Sequence, residues 1–241
     1  GMKKYNTKAI VLKSVKYKDA DKIFTLFTKE YGKISAIGRG VRKINSRRSG
    51  NLDTLNYVSV GIYENNLEFK NIEEVKVIES FRNLKRNLGK STKAYYIIEL
   101  VHKSMEEGEQ SPEVFDLLLK CLRALERNGY SGALFVSYFE MNLMKLIGYQ
   151  MTTDKCEKCR RVLDDSWKKY CFDIENGGLE CENCSKNGVE ISMETALYMQ
   201  PIFDGKLDKK MKKSTEAVDK LMKMYIGRKL ERKFKSLEME D

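Results

Sequence analysis

The chain has 241 residues, 41% hydrophobic and 33% charged, which places it among folded proteins of one large or two to three small domains and excludes wholesale disorder. Its 45 basic residues against 35 acidic ones give +10 at neutral pH, a balance that favours nucleic acid, an anionic membrane or an acidic protein as partner. No apolar run approaches the ~18 residues of a membrane span. The opening GMKKYNTKAIVLKSVKY lacks a secretory apolar core and cleavage site, so a cytoplasmic protein is expected.

Residues 1–80 carry a net +7 and read as strands. TKAIVLKSVKY at Thr7–Tyr17 alternates roughly every second residue, and KIFTLFTK follows at Lys22–Lys29 after a polar break. Gly32 leads into KISAIG, and after a basic stretch come Leu55–Glu64, an Asn65-Asn66 turn and Leu67–Ser80. Short strands joined by tight turns favour antiparallel pairing in a small barrel or sandwich. From Lys90 the period lengthens: Ala94, Ile97, Ile98, Val101 and Met105 fall three and four apart. Ser111-Pro112-Glu113 opens a second helix with a hydroxyl cap, a proline at the first helical position and an early carboxylate. A third runs from near Ser131 to Gly148, and short loops between the three imply an antiparallel bundle. Shorter and longer helices follow at Glu194–Phe203, ending or bending near Pro201, and at Ser214–Leu237.

Ahead of the last helix, residues 156–205 reverse to a net −4 and contain the sharpest motif. Cys156-Glu157-Lys158-Cys159 and Cys181-Glu182-Asn183-Cys184 are two Cys-x₂-Cys knuckles separated by 21 residues. Each knuckle turns two sulfurs toward one point, so the pair supplies four thiolates for a tetrahedral structural Zn²⁺. Two disulfides or an iron–sulfur centre are the competing readings, and a reducing compartment argues against the first. Cys121 and Cys171 read as packed thiols.

The other prominent feature is GKISAIGRGVRKINSRRSG. Lys33, Arg39, Arg42, Lys43, Arg47 and Arg48 stand there with no acidic residue among them, as a candidate nucleic-acid surface. The bland alternative is a solvated loop. Tyr31, Phe24, Phe27 and Tyr57 are candidates for stacking on bases or for ordinary core packing. A second basic region, Lys206–Lys235, holds 12 basic and 4 acidic residues and either extends a phosphate track or solvates helices. Catalysis has no support: there is no phosphate-binding GxxxxGK[ST] loop, GxSxG elbow or HExxH helix, and His102 is the sole histidine. Asp19, Asp21, Asp164 and Asp165 read as turn carboxylates facing water.

Together these features resemble the bacterial DNA repair and recombination mediator family RecO. The resemblance rests on AIVLKSVKYKDADKIFTLFTKEYGKISAIGRGVRK at the front and on Leu146-Ile147-Gly148-Tyr149 running into the first knuckle. It continues through Gly177-Gly178-Leu179-x-Cys181-x₂-Cys184 to YIGRKLERKF at Tyr225–Phe234. The chain departs from the family pattern at Lys18-Asp19-Ala20-Asp21 and at Leu230-Glu231-Arg232-Lys233. The resemblance implies a multidomain α+β protein: an N-terminal OB-fold β-barrel over 1–80 that binds nucleic acid, and an α-helical bundle domain over 81–152 and 189–241 with a four-cysteine zinc module inserted at 153–188. It also implies binding of single- and double-stranded DNA, strand annealing, loading of recombinase on coated strands, and cooperation with RecR and single-stranded-DNA-binding protein in the cytoplasm at the nucleoid. Docking of that protein's acidic C-terminal tail is expected on the helical domain near Lys120, Arg123 and Arg127. The alternative is a zinc-containing RNA or ribosome-associated binding protein, since phosphate and stacking contacts suit either polymer.

Overall fold

The computed structural model describes residues 3–43, 46–65, 70–127, 132–206 and 208–240. Asn66 of the expected turn, the strand start at Leu67, the helix start at Ser131 and Leu207 of the second basic region lie outside them. Two compact units divide the chain, Gly1–Arg127 and Asn128–Asp241.

In the first unit the alternating segments form β1 (Lys3–Tyr17), β2 (Asp21–Thr28), β3 (Gly32–Gly38), β4 (Tyr57–Glu64) and β5 (Lys70–Glu79). β1 serves two partners. Lys3–Ile10 pairs antiparallel with β4, and Ala9–Tyr17 with β2. A bulge between Val11 and Lys13 bends the strand from one to the other. There the main chain of Val11 bonds instead to Leu55 (2.9 Å) and Asn56 (3.0 Å). Ala9, Val11, Phe24, Leu26, Ile34, Ala36, Val58, Val60 and Ile62 fill the inner face. Each of the larger ones contributes roughly 1.5–3 kcal/mol by leaving water.

The fold class expected from the sequence, an OB-fold β-barrel of antiparallel strands with an α-helical bundle domain and an inserted four-cysteine zinc module, is corrected at the barrel. The sheet is mixed. Its order is β1-β2-β3-β5-β4, with β4 returning to β1, but β5 runs parallel to β3 and meets it only at Ala36–Lys70 and Ile37–Asn71. Strand pairing therefore does not close a barrel along the length of β3. The other half of that edge is bordered by a loop: Lys33 bridges Glu107, the Gly108 N–H donates to the Lys33 carbonyl (2.8 Å), and the Ser35 N–H donates to Glu107 Oε1 (3.3 Å). Gly32 permits this approach, because its φ is +70° and a Cβ there would lie 2.1 Å from the Glu109 carbonyl oxygen.

The helices fall in both units. Those of the first unit are α1 (Arg47–Asn51), α2 (Arg82–Arg86), α3 (Leu88–Ser104) and α4 (Pro112–Glu126). α4 begins as its sequence dictates, with Ser111 Oγ accepting the Val114 N–H (3.2 Å). From its apolar face the Phe115 ring reaches the sheet, 6.0 Å from Phe27 and 6.1 Å from Tyr57, while the helix also packs on α3 and α2. These helices belong to the first compact unit, with the strands, and the later helices to the second. Periodicity marks an apolar face but leaves its partner open.

The second unit contains α5 (Gly132–Leu146), α6 (Met193–Phe203) and α7 (Lys212–Glu240), preceded by a 3₁₀ turn at Lys209–Met211. A small antiparallel sheet comprises β6 (Tyr170–Asp173), β7 (Gly178–Cys181) and β8 (Val189–Ile191), in the order β7-β6-β8. Leu134, Phe139, Met141, Met199, Ile202, Val218, Met222 and Tyr225 are buried among the three helices. Ser192 Oγ caps α6 through the Thr195 N–H (3.1 Å), and Pro201 sits inside its last turn without ending it. Among the described residues no helix is long and apolar enough to cross a membrane.

Candidate metal centre and nucleic-acid interface

The four cysteines converge in the second unit. The first knuckle is a tight turn in which Arg160 adopts φ +67° and donates its N–H to the Cys156 carbonyl (3.0 Å), while the Cys156 N–H bonds Arg161 O (2.9 Å). In the second, Cys181 ends β7 and its carbonyl receives the N–H groups of Cys184 and Ser185, each at 3.1 Å. All four Sγ atoms lie within 4.8 Å of one another, and Cys159 Sγ is 3.8 Å from Cys181 Sγ. A tetrahedral ion with metal–sulfur bonds of ~2.3 Å has sulfur–sulfur edges of ~3.8 Å. The cluster thus has the geometry to hold a metal ion, and soft thiol donors suit zinc or iron better than magnesium or calcium. Burial works to raise the Cys156 thiol, but the N–H groups of Cys159, Cys181 and Lys158 aimed at its sulfur prevail and lower it to about 7. That favours the thiolate a metal requires.

Around the sulfurs, the Arg161 guanidinium pairs with Glu182 (2.9 Å) and lies over the Trp167 ring, 5.6 Å from its centroid. Trp167 donates Nε1–H to Val162 O (2.9 Å) and stacks on Tyr170 at 5.4 Å. On the neighbouring side, Glu157, Asp173 and Glu180 bring carboxylate oxygens within 4.8 Å of one another. Burial, then a hydrogen bond to Asp173 and the charges of Asp173 and Glu180, push Glu157 up to about 8. The sequence reading missed this carboxylate group; Gly178 was its signal, since a Cβ there would meet Glu157 Oε2 at 2.2 Å. Cys121 and Cys171 are buried outside the four-sulfur cluster.

In the first unit the six basic candidates separate. Lys33 lies at the start of β3 and Arg39 just past its end, about 20 Å along an extended chain. Lys33 is half-buried, donating its ammonium to the His102 carbonyl (2.8 Å). The other five cluster. Arg39, Gly40, Lys43, Ser46 and Arg48 line a concavity of about 290 Å³, with Arg42 and Arg47 exposed in the same segment. Arg48 shapes it from within, donating to the carbonyls of Ile72 (3.0 Å) and Arg39, and α1 supplies Arg47 and Arg48 where the sequence reads as loop.

Asp21 is the residue the sequence undervalued. Its carboxylate accepts the Gly40 N–H at 2.8 Å and lies 3.9 Å from Arg39, so it shapes the loop where a water-facing turn residue was expected. Asn71 Oδ1 also accepts from Arg39 Nε (3.1 Å). Of the aromatic candidates, Phe24, Phe27 and Tyr57 are core residues at 2%, 0% and 6% exposure, while Tyr31 packs its ring 4.2 Å from Tyr5. Among the α4 candidates, Arg123 Nε donates to Glu79 Oε1 at 2.8 Å and the guanidinium lies over Tyr57, tying the helix to β5. Lys120 and Arg127 are exposed. His102 Nδ1 is buried, and burial together with Lys33 and Lys13 lowers the imidazole from its ordinary pKa.

Residues 2–81 match the family model described as Recombination protein O N terminal, and residues 85–238 match Recombination protein O C terminal. Curated relatives include the DNA repair protein RecO of Dehalococcoides mccartyi strain CBDB1, 32% identical over 82% of this chain and 78% of its own length. The DNA repair protein RecO of Thermoanaerobacter sp. strain X514 is 31% identical over 98% of this chain and 96% of its own. The protein of the same description in Clostridium novyi strain NT is 29% identical over 98% and 93%.

Proposed function

Because the chain belongs to the Recombination protein O (RecO) family and so serves in DNA repair and recombination, we propose that it binds single- and double-stranded DNA, anneals complementary strands and helps load recombinase on coated single strands. The observation that carries this reading is the cationic concavity of Arg39, Lys43 and Arg48, flanked by exposed Arg42 and Arg47. Arginine forks match phosphate oxygens, the part of a nucleic acid that is the same in every sequence, so recognition is of the backbone. The protein acts without bond cleavage, as a mediator at the nucleoid in the cytoplasm. RecR and single-stranded-DNA-binding protein are its partners in this reading, and Zn²⁺ on Cys156, Cys159, Cys181 and Cys184 holds the module around it. When bound there, zinc supplies a structural crosslink.

The test is competition between DNA and RNA of equal length and sequence for a labelled single strand. DNA is expected to compete at severalfold lower concentration. Equal competition would move the assignment toward an RNA or ribosome-associated role. In the same preparation, turnover of nucleotide or cleavage of DNA with Mg²⁺ or Mn²⁺ would remove the non-catalytic part of the reading.

For the acidic tail of single-stranded-DNA-binding protein, the candidates are Lys120 and Arg123 on α4 and Arg127 just after it; Lys120 and Arg127 are exposed, and Arg123 pairs with Glu79. Exposed charges near an apolar helix face suit a short acidic segment. Titration with the tail peptide is expected to show binding that weakens at least fivefold in its charge-neutralised form. Equally weak binding of both peptides would take electrostatic recognition out of the account.

A further inference from the structure

The basic motif of α7 is bound to the hairpin between β6 and β7 through one acidic side chain. Arg228 pairs with Glu175 Oε1 and Arg232 with Glu175 Oε2, so a single carboxylate occupies both arginines. Arg228 and Arg232 are one helical turn apart, about 6 Å along the axis. Their side chains remain 57% and 59% exposed. One carboxylate between two guanidinium groups leaves a positive charge over.

A second set of contacts holds the same hairpin independently of those pairs. Lys229 Nζ donates to the Glu175 carbonyl (2.6 Å) and lies over the rings of Tyr149 and Tyr225. Gly177, at φ +77°, lies so close to Tyr225 that a Cβ would stand 2.7 Å from its hydroxyl. Phe172 meets Tyr225 edge to face at 6.2 Å. Tyr225 and Phe172 are 1% and 0% exposed, so this layer is dry, whereas the arginine–carboxylate layer faces water. Exposed ion pairs are worth only ~0–1 kcal/mol and yield readily to a competing anion.

We propose that Arg228 and Arg232 form a phosphodiester-binding site on α7 that Glu175 occupies in the free protein, so that the backbone of a nucleic acid displaces this internal carboxylate when it binds. The proposal rests on the nucleic-acid reading above and adds to it a second site, together with the residue that restrains it. A phosphodiester offers the same planar forks two anionic oxygens, as a carboxylate does, and its neutralisation releases counterions, which the internal pair does not. The aromatic and glycine contacts keep the hairpin seated while Glu175 is exchanged.

The experiment compares single-stranded DNA binding across salt concentrations for the intact chain, Glu175→Gln, Arg228→Gln/Arg232→Gln and the triple variant. Glu190→Gln, an exposed carboxylate on β8, controls for the loss of one negative charge. Glu175→Gln is expected to bind two- to tenfold more tightly than the Glu190→Gln control. Because the intact chain makes the same contacts once Glu175 is displaced, the salt slope of Glu175→Gln is expected to match it, and that of Arg228→Gln/Arg232→Gln to be shallower by up to ~1.4, at ~0.7 per lost arginine. The gain should vanish in the triple variant. An equal gain in the triple variant, or no gain over the control, would overturn the proposal while leaving DNA binding itself intact. Absence of any salt-dependent binding by the intact chain would remove both readings. Trp167 emission, recorded on each variant, reports whether the cysteine module is still folded; a gain seen only where that emission has changed would also count against the site.

Discussion

Removing the metal is expected to unfold the segment around residues 153–191, with one zinc per chain found before removal and none after. Structural zinc contributes roughly 10–16 kcal/mol of apparent binding free energy in zinc-finger peptides. The segment here has a small apolar interior, chiefly Trp167, Tyr170, Phe172, Ile174 and Leu179, which is too little to order turns as tight as those at Cys156–Arg161 and Cys181–Ser185 without a crosslink. Replacing Cys156 or Cys181 with Ser should have the same result as chelation. The chain contains one tryptophan, and Trp167 is 4% exposed, stacked on Tyr170 and capped by Arg161. Its emission should therefore shift to the red on metal loss, and proteases should cut between the knuckles. Iron with acid-labile sulfide in the purified protein would overturn the zinc assignment. An unchanged tryptophan spectrum after complete metal removal would overturn the structural role.

The second large effect is expected at the basic loop. Arg42 and Lys43 are exposed, and Arg42 gives one donor to the Lys18 carbonyl (2.9 Å), whereas Arg48 spends donors on two carbonyls that line the concavity itself. Replacing Arg42 and Lys43 together with glutamine should therefore remove phosphate contacts without collapsing the concavity. If each contacts one phosphate of a single strand, the slope of log affinity against log salt loses ~1.4 in magnitude. That corresponds to roughly tenfold weaker binding near 0.15 M salt, uniformly across unrelated sequences. The annealing rate should fall with it. Replacing Arg48 instead should also disturb the loop and lower the melting temperature, a difference that separates contact from scaffold. A double variant with unchanged slope and annealing rate would place the DNA surface elsewhere in the chain.

The local chemistry of this protein was legible in its residues. Ser111-Pro112 and Ser192 cap helices because a hydroxyl beside free amides has one favourable arrangement, whatever surrounds it. The Cys156–Cys159 and Cys181–Cys184 knuckles bring four sulfurs together because two-residue spacers leave a turn little choice. Alternation located the strands, and the density of arginine after β3 located a basic surface. What the tertiary structure decided was pairing. The parallel seam of β3 with β5, and the loop that borders the rest of β3, depend on contacts between residues dozens of positions apart. The burial of Phe27 and Tyr57 under Phe115, and the engagement of Arg123 by Glu79, follow from where α4 docks. The same holds for Asp21 on Gly40 and for Glu175 between Arg228 and Arg232: a charge on a sequence is only a charge, and its partner is chosen by the fold. Spacing and propensity act over one or two turns of chain, so they determine elements and ligand knuckles; docking energy is collected only after distant elements meet, so the faces, the seam and the ion pairs belong to the tertiary structure.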